Sequence, residues 1–257
     1  HYDAEIIAEV DPDPFYDFTV VPPSVRPEDD QRIIDWPKNE LRLVRSEAAE
    51  RDVLVLAGIE PHLRWQVFAE ALHSFINDHS IEDVVVLRTW PAAVPHTRPT
   101  VLRLSGASAE LAERLELTVN QTTYRGPVDF GGVLSALHSN EGGSAAGLTA
   151  VVPNYLGVVP NPYAMVALTR AVDRLAGTST PVDDFQEAAD QLAVRASEEM
   201  EKSDDLRQAV HELEDSYEAI VEQMTGGVPD TETSDELPSP DELLRDVERF
   251  LQGETND

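Results

Sequence analysis

The fold is decided by two apolar runs, Val53-Leu54-Val55-Leu56-Ala57-Gly58 and Val84-Val85-Val86-Leu87. Each run is short and is bounded by turn-forming or charged residues, which is typical of a buried strand. Between them, residues 62–79 carry apolar side chains at helical spacing, so a helix is predicted there. A strand, a helix and a strand of these lengths form a βαβ unit, which predicts a mainly parallel sheet covered by helices.

The chain beyond this unit continues with mixed strand and helix signals. Residues 100–104 and 116–124 alternate in polarity and are interpreted as two arms of a hairpin, with a short helix over 108–115 between them. We predict three further elements: a helix over 130–140, a buried strand over 148–152, and a helix that Asn161 caps and Gly177 ends.

The two ends of the chain differ in composition from this core. Residues 1–40 are rich in Pro and Asp, which indicates an extended arm that lies on the core. From Asp183 to the end there are 24 acidic and 5 basic residues. We therefore divide the chain into an N-terminal arm over 1–40, an α/β core over 41–180 and an acidic helical region over 181–257.

The acidic region is predicted to be helical because it carries an apolar stripe at helical spacing. We expect a helical hairpin broken near Ser203-Asp204, then a flexible linker over 225–238. Ser239-Pro240-Asp241-Glu242 is a capping box with Pro in the first turn, which predicts a short final helix.

Composition excludes several classes of function. The 257 residues include 49 Asp and Glu against 19 Lys and Arg, a formal net charge of −30. Such a surface repels phosphate groups, so we expect neither a nucleic-acid partner nor a membrane partner. The chain has no Cys, which excludes disulfides, thiol nucleophiles and thiolate metal sites. No apolar run is long enough to span a bilayer, and we expect a cytoplasmic protein.

The sequence carries none of the strong catalytic or cofactor motifs. It has no Walker A sequence, no H-E-x-x-H, no G-x-S-x-G, and no G-x-G-x-x-G after a strand. His62 and His73 are eleven residues apart on one predicted helix, about 16 Å along its axis, so they cannot share one metal ion. We expect no cofactor and no metal ion.

Three loops that follow predicted strands supply candidate site residues, because ligands of open α/β sheets gather at the carboxyl ends of strands. The first two loops, 58–62 and 91–99, could place side chains around an anion or support acid–base chemistry. The alternative is a structural network in which Arg98 pairs with Glu60. The third loop and the following helix start could receive an anion or a carbonyl, the alternative being ordinary N-capping by Asn161. The candidate ligand-binding residues are Glu60, His62, His96, Arg98, Asn154, Tyr155 and Asn161.

Four stretches of the sequence resemble the PAC2 family of proteasome-assembly-chaperone-like proteins, in its actinobacterial branch. They are Val53–Pro61, Val94-Pro95-His96-Thr97-Arg98-Pro99, Gly147–Tyr155 and Asn161-Pro162-Tyr163-Ala164. The resemblance implies a three-layer α/β/α core similar to that of nucleoside phosphorylases and peptidyl hydrolases, with a C-terminal helical appendage. It also implies self-association, and we favour a trimer. It supplies no catalytic residues.

Three interpretations of function stay open at this point. The first is a non-enzymatic, homo-oligomeric binding or assembly module whose acidic helices bind a protein partner. The second is a small-ligand-binding protein or a hydrolase- or phosphorylase-like enzyme, with a pocket at the strand ends that the C-terminal helices cover as a lid. The third is a purely structural oligomer. We favour the first.

Overall fold

The structure is a computed structural model that describes residues 2–29, 31–45, 51–121, 124–157 and 160–225. The predicted linker and final helix after residue 225 lie outside the described residues. The strands are β1 (Ala4–Val10), β2 (Ser24–Glu28), β3 (Gln31–Asp35), β4 (Asn39–Val44), β5 (Val53–Ala57), β6 (Asp83–Ala92), β7 (Val101–Ser105), β8 (Val119–Asn120) and β9 (Ser144–Pro153). The helices are α1 (Trp65–Asp78), α2 (Ala109–Leu115), α3 (Phe130–Asn140), α4 (Pro162–Ala176), α5 (Asp183–Glu201), α6 (Asp204–Asp215) and α7 (Tyr217–Thr225).

The described strands form three sheets. The largest has the order β6-β9-β7-β8, in which β9 pairs parallel with β6 and antiparallel with β7. A second sheet has the order β1-β4-β5 with antiparallel pairs, and β2 and β3 form a separate antiparallel hairpin. The architecture is thus mixed α/β.

The central sheet is covered by helices that pack against alternate residues of its strands. Val84 of β6 packs with the cluster that joins α1 to α3, which includes Phe68 and Leu134. The next residue along β6, Val85, packs instead with a cluster that includes Leu111 of α2 and Ala171 of α4. Because successive side chains of a strand point to opposite faces, the two pairs of helices contact opposite faces of the sheet.

The prediction of a mainly parallel sheet holds in part, because the β6–β9 and β7–β8 pairs are parallel and the β7–β9 pair is antiparallel, but two of the expected strand pairings are wrong. The expected hairpin of 100–104 and 116–124 is instead a parallel pair, β7 with β8, because α2 carries the chain back to the end from which β7 started. The expected βαβ pairing also fails. β5 pairs with β4, and β6 pairs with β9, whose run of buried residues on both faces gives it a central place.

The helix ends follow the sequence signals closely. Asn161 accepts hydrogen bonds from the backbone N–H groups of Tyr163 and Ala164, and Gly177 ends α4 in a left-handed conformation. Ser203 accepts a hydrogen bond from the Leu206 N–H at the start of α6, which confirms the predicted break in the C-terminal helices. Residues 15–16 of the N-terminal arm are tied to the core, since the Phe15 carbonyl accepts the N–H groups of residues 62 and 63.

Candidate functional site

The Pro-rich loop after β6 holds His96 in a buried position against Tyr155. His96 is 5% exposed, and its Nδ1 lies 2.7 Å from the Tyr155 hydroxyl. The same hydroxyl accepts the backbone N–H of His96 at 2.8 Å. The hydroxyl and Nδ1 share a second hydrogen bond, whose donor depends on the tautomer of the imidazole ring.

Burial keeps both members of this pair uncharged. It lowers the pKa of the His96 imidazole, an effect that the charge of Glu214 partly opposes. Burial also raises the pKa of the Tyr155 hydroxyl. The pair is therefore a neutral hydrogen-bonded unit near pH 7 and offers no positive charge to an anion.

A small cavity lies beside the pair. Its volume is about 10 Å³, which is room for one water molecule. The His96 Nε2 and the Tyr163 hydroxyl are both buried there without a hydrogen-bond partner among the described residues. The cavity is lined by Val94, Pro95, His96, Arg98, Pro99, Thr100, Val151, Pro153 and Tyr163.

The C-terminal helices lie directly over this loop. Thr97 donates a hydrogen bond to Glu214 of α6, and the Tyr217 hydroxyl of α7 donates to the Pro99 carbonyl at 2.8 Å. The hydrogen bonds from Thr97 and His211, together with the positive charge of the nearby Arg98, lower the pKa of the Glu214 carboxyl. The loop is thus covered by polar contacts from both helices.

An apolar contact and a polar one fix α7 on the sheet. Tyr217, Ile220, Val221 and Met224 pack against Val94, Val101 and Val151. At the end of the helix, the Met224 carbonyl accepts hydrogen bonds from Arg103 Nε at 2.9 Å and Asn120 Nδ2 at 2.6 Å. A cation at a helix C-terminus also favours the helix dipole, so Arg103 stabilises the docked helix.

Two of the candidate residues are held by other partners. Glu60 accepts the backbone N–H of Phe130 at the start of α3. His62 Nδ1 accepts the backbone N–H of Asp17 at 3.2 Å, and its ring lies edge-on to Tyr16. Both side chains therefore serve local structure, and no ion pair between Glu60 and Arg98 is present in the described part of the chain.

The other candidate side chains differ in their exposure and in whether their polar atoms already have hydrogen-bond partners. Arg98 is exposed and makes neither a hydrogen bond nor an ion pair with the residues that the structure describes. Asn154 is exposed and begins a 3-10 turn after β9. Asn161 is buried, and its side-chain oxygen is used in capping α4. The structure brings His96 and Tyr155 into contact, and it places Arg98 beside them at the cavity.

Sequence reasoning did not single out Thr97, Arg103, Asn120 or Glu214, which join the loop and the sheet to the C-terminal helices. The only sequence signal for that junction is the apolar stripe that includes Tyr217 and Ile220, which shows that the helix has a buried face without showing its partner.

The described part of the chain offers neither a cluster of metal ligands nor a helix that could span a bilayer. Over 2–29, 31–45, 51–121, 124–157 and 160–225, no group of three or more His, Asp or Glu side chains could hold a metal ion. None of the helices in these ranges combines the length and apolar character that a bilayer crossing requires.

Comparisons with known proteins agree with the resemblance in the sequence. The profile of the PAC2 family matches residues 1–200. A protein of unknown function from Corynebacterium glutamicum is 27% identical, with a TM-score of 0.77 over 86% of this chain and 81% of that one. A PAC2 family protein from Streptomyces avermitilis is 32% identical, with a TM-score of 0.69 over 77% of this chain and 83% of that one. A proteasome-assembly chaperone homologue from Mycobacterium tuberculosis is 30% identical, with a TM-score of 0.70 over 81% of this chain and 88% of that one. The search of curated proteins gave no match.

Proposed function

Because the chain belongs to the PAC2 family, we propose that it is a homo-oligomeric, chaperone-like module that binds other proteins during their assembly. Its relative from Mycobacterium tuberculosis is a proteasome-assembly chaperone homologue with 30% identity over 81% of this chain. By analogy, the proteins that this chain binds are unassembled proteasome subunits. The active form is an oligomer, a trimer being favoured, and the work is binding, not catalysis.

The observation that carries the proposal is the acidic outer surface of α5 and α6. Among the residues described there, Glu198, Glu201 and Asp205 are exposed and form no ion pair. The apolar side of these helices is turned inward, as Ala189, Leu192 and Val210 are buried. A fixed helical surface with unpaired carboxylates is complementary to a protein surface rich in Lys and Arg.

The closed state of the His96 pocket supports binding over catalysis. The cavity of about 10 Å³ admits one water molecule, whereas small-molecule sites are commonly 300–1,000 Å³. The neutral side chains of His96 and Tyr155 are hydrogen-bonded to each other. Glu214 of α6 and Tyr217 of α7 are hydrogen-bonded to the loop that carries His96. These contacts give the pair a structural role.

A second candidate function has one observation in its favour. Glu214 of α6 and Tyr217 of α7 are hydrogen-bonded to the loop that carries His96, which supports a lid-like role for these helices. A ligand-binding or enzymatic role would then need these helices to lift away and enlarge the cavity. A ligand that binds the chain lacking α6 and α7, but not the full chain, would favour this second function.

The direct test is assembly of proteasome subunits from the source organism with the purified chain. We expect the chain to bind the unassembled subunits and to increase the yield of assembled particles. The binding should weaken as salt rises from 0.05 to 0.5 M, because exposed charges are screened.

A variant that lacks three carboxylates of α5 and α6 tests whether the acidic surface binds the proteasome subunits. The variant Glu198→Gln/Glu201→Gln/Asp205→Asn should bind at least tenfold more weakly. The matched control Glu70→Gln/Asp78→Asn/Glu113→Gln removes the same charge from exposed positions outside α5 and α6, and it should bind as the unaltered chain does. Equal loss in both variants, or no binding by the unaltered chain, would reject the acidic surface as the client site.

A further inference from the structure

The face of the central sheet that packs against α3 also carries a row of polar side chains. Thr149 of β9 lies opposite Arg88 of β6 and opposite Arg103 of β7. Side chains that lie directly opposite each other project from the same face of a sheet. Val84, four residues before Arg88, packs with α1 and α3, which identifies that face. We call Arg88, Thr149 and Arg103 the arginine row.

Arg88 is held at one end of the arginine row with one nitrogen unused. Its Nε and Nη2 donate to the Asp129 carboxylate, the latter at 2.6 Å, and its Nη1 has no hydrogen-bond partner among the described residues. A Cβ atom on Gly147 would lie 2.7 Å from this Nη1 and 2.8 Å from the Ser105 hydroxyl. The contact of that hydroxyl with the Gly147 carbonyl is long, at 3.4 Å. Two donors therefore converge over the bare backbone of Gly147, two residues before Thr149.

Arg103 lies at the other end of the arginine row and has no negative partner. Its guanidinium carbon is 4.8 Å from the centre of the Trp90 ring, and Trp90 lies opposite Val151, two residues after Thr149. Its Nε donates to the Met224 carbonyl, while its two Nη atoms have no hydrogen-bond partner and no ion pair in the part of the chain that the structure describes. Burial lowers the pKa of this guanidinium, so its charge is only partly solvated.

The unused donors of this region suit one tetrahedral anion. They are Nη1 of Arg88, both Nη atoms of Arg103, and the hydroxyls of Thr149 and Ser105. The two guanidinium groups lie above β9 on either side of Thr149, so their donors face a common space. Hydrogen bonds from a guanidinium to an oxyanion are stronger than neutral ones. A carboxylate has two oxygens for these donors, whereas a phosphate group has up to four, so phosphate uses the donors more completely.

The local charge of the arginine row differs from that of the whole chain. The net charge is −30, but physiological salt screens exposed charges beyond about 8 Å. Among the described residues, the two guanidinium groups have one carboxylate partner, Asp129, which leaves a positive charge. The side chains of the row are half-buried, and a cation that is partly removed from water without a counter-charge is destabilising. A bound anion offsets that cost.

We infer that the arginine row binds a phosphate group, either free or carried by a small molecule. Arg88 and Arg103 donate to its oxygens from either side, and the Thr149 hydroxyl donates between them. The site uses none of the carboxylates of α5 and α6, so the inference holds or fails independently of the proposed function.

The first test is the melting temperature of the full chain in sodium phosphate, compared with sodium chloride at the same pH and ionic strength. Ionic strength is matched because screening alone changes the stability of a highly charged chain. An anion that binds only the folded state raises the melting temperature by mass action. We therefore expect a rise that saturates with phosphate concentration. Equal melting temperatures in the two salts, or a rise without saturation, would overturn the inference.

Two variants assign the effect to the arginine row. Thr149→Val keeps a β-branched side chain in the strand and removes only the hydroxyl, and Arg103→Gln removes the charge. Each should bind phosphate at least tenfold more weakly, because each loses a hydrogen bond to a charged group. The matched control Arg174→Gln removes the same charge from an exposed position on α4, which packs on the opposite face of the sheet, and should bind as the unaltered chain does. The melting curve shows whether each variant is folded, and unchanged affinity in folded Thr149→Val and Arg103→Gln would reject the site.

The fluorescence of Trp90 gives an independent readout. Because Arg103 lies over this ring, an anion that draws the guanidinium toward itself should change the emission of Trp90. We expect titration with inorganic phosphate to change the emission of Trp36→Phe but not that of Trp90→Phe, both positions being exposed. The same change in both variants would place the anion elsewhere and overturn the inference.

A parallel titration with glycerol 3-phosphate distinguishes the two sources of the phosphate group. Tighter binding of glycerol 3-phosphate than of inorganic phosphate would assign the arginine row to a phosphorylated small molecule. Equal or weaker binding would assign it to free phosphate. Failure of both compounds to bind would reject the site.

Discussion

At the scale of single residues, the Tyr155 hydroxyl is the atom that holds the His96 loop in place. It is hydrogen-bonded to both the backbone N–H and the ring Nδ1 of His96. Tyr163 lines the same cavity, but its buried hydroxyl has no partner among the described residues. The two tyrosines thus differ in what their hydroxyl groups contribute, although both are half-buried in one place.

This difference gives a matched pair of variants. Tyr155→Phe leaves two buried polar groups of His96 unpaired and should lower the free energy of unfolding by about 2 kcal/mol. Tyr163→Phe removes only an unpartnered hydroxyl and should change it by less than about 0.5 kcal/mol or raise it. Urea denaturation measures both. Equal losses would show that the hydrogen bonds of Tyr155 do not stabilise the fold.

The pH dependence of stability follows from the lowered pKa of His96. Below about pH 6.5 the imidazole of the unfolded chain takes up a proton that the folded chain excludes, so the folded state loses stability as pH falls. We expect the unaltered chain to lose more stability than His96→Asn between pH 7.5 and 5.5. Denaturation curves at several pH values measure this. Parallel losses in the two proteins would contradict a lowered pKa.

Part of the candidate site is predictable from the residues alone. The sequence places His96 and Tyr155 in loops that follow strands, whereas their contact depends on the parallel pairing of β6 with β9, which the sequence did not predict. Glu60 follows β5, which lies in another sheet, and therefore caps α3 instead. The sequence shows where strands end, but the pairing of strands depends on contacts between distant segments.

At the scale of elements, helix ends are predicted better than strand partners. The signals for a helix end lie within a few residues of it, as at Asn161 and Gly177 of α4. The direction of β8 depends on the path of α2, and the partner of β6 depends on β9, about sixty residues later. The position of α7 is harder still, because its apolar stripe shows a buried face without showing what buries it.

The docking of α7 on the sheet leads to a prediction about the loop beneath it. Ile220→Ala removes part of the apolar contact with Val94, Val101 and Val151 and should destabilise the docked helix by about 1–2 kcal/mol. Hydrogen exchange of residues 94–101 should then rise, while exchange in α3 stays unchanged. Glu218→Ala, on the exposed side of α7, is the control. Unchanged exchange in the loop of Ile220→Ala would show that α7 does not cover it.

At the scale of the whole molecule, the net charge of −30 opposes the compact state. The ion pairs that Lys and Arg form among the described residues include many exposed ones, which contribute little to stability in water. Added salt screens the repulsion between carboxylates more than it weakens these pairs. We expect the melting temperature to rise by several degrees between 0.05 and 1 M NaCl. A fall over this range would show that attractive pairs dominate.

The central claim is that the chain is an oligomeric module that binds assembling proteins. Native mass spectrometry of the purified chain mixed with unassembled proteasome subunits tests it most directly, because one spectrum reports both self-association and client binding. We predict peaks at multiples of the 28.3 kDa chain, together with mixed complexes that disappear when the mixture is first dissociated in high salt. A spectrum that contains only single chains and free subunits would contradict the claim.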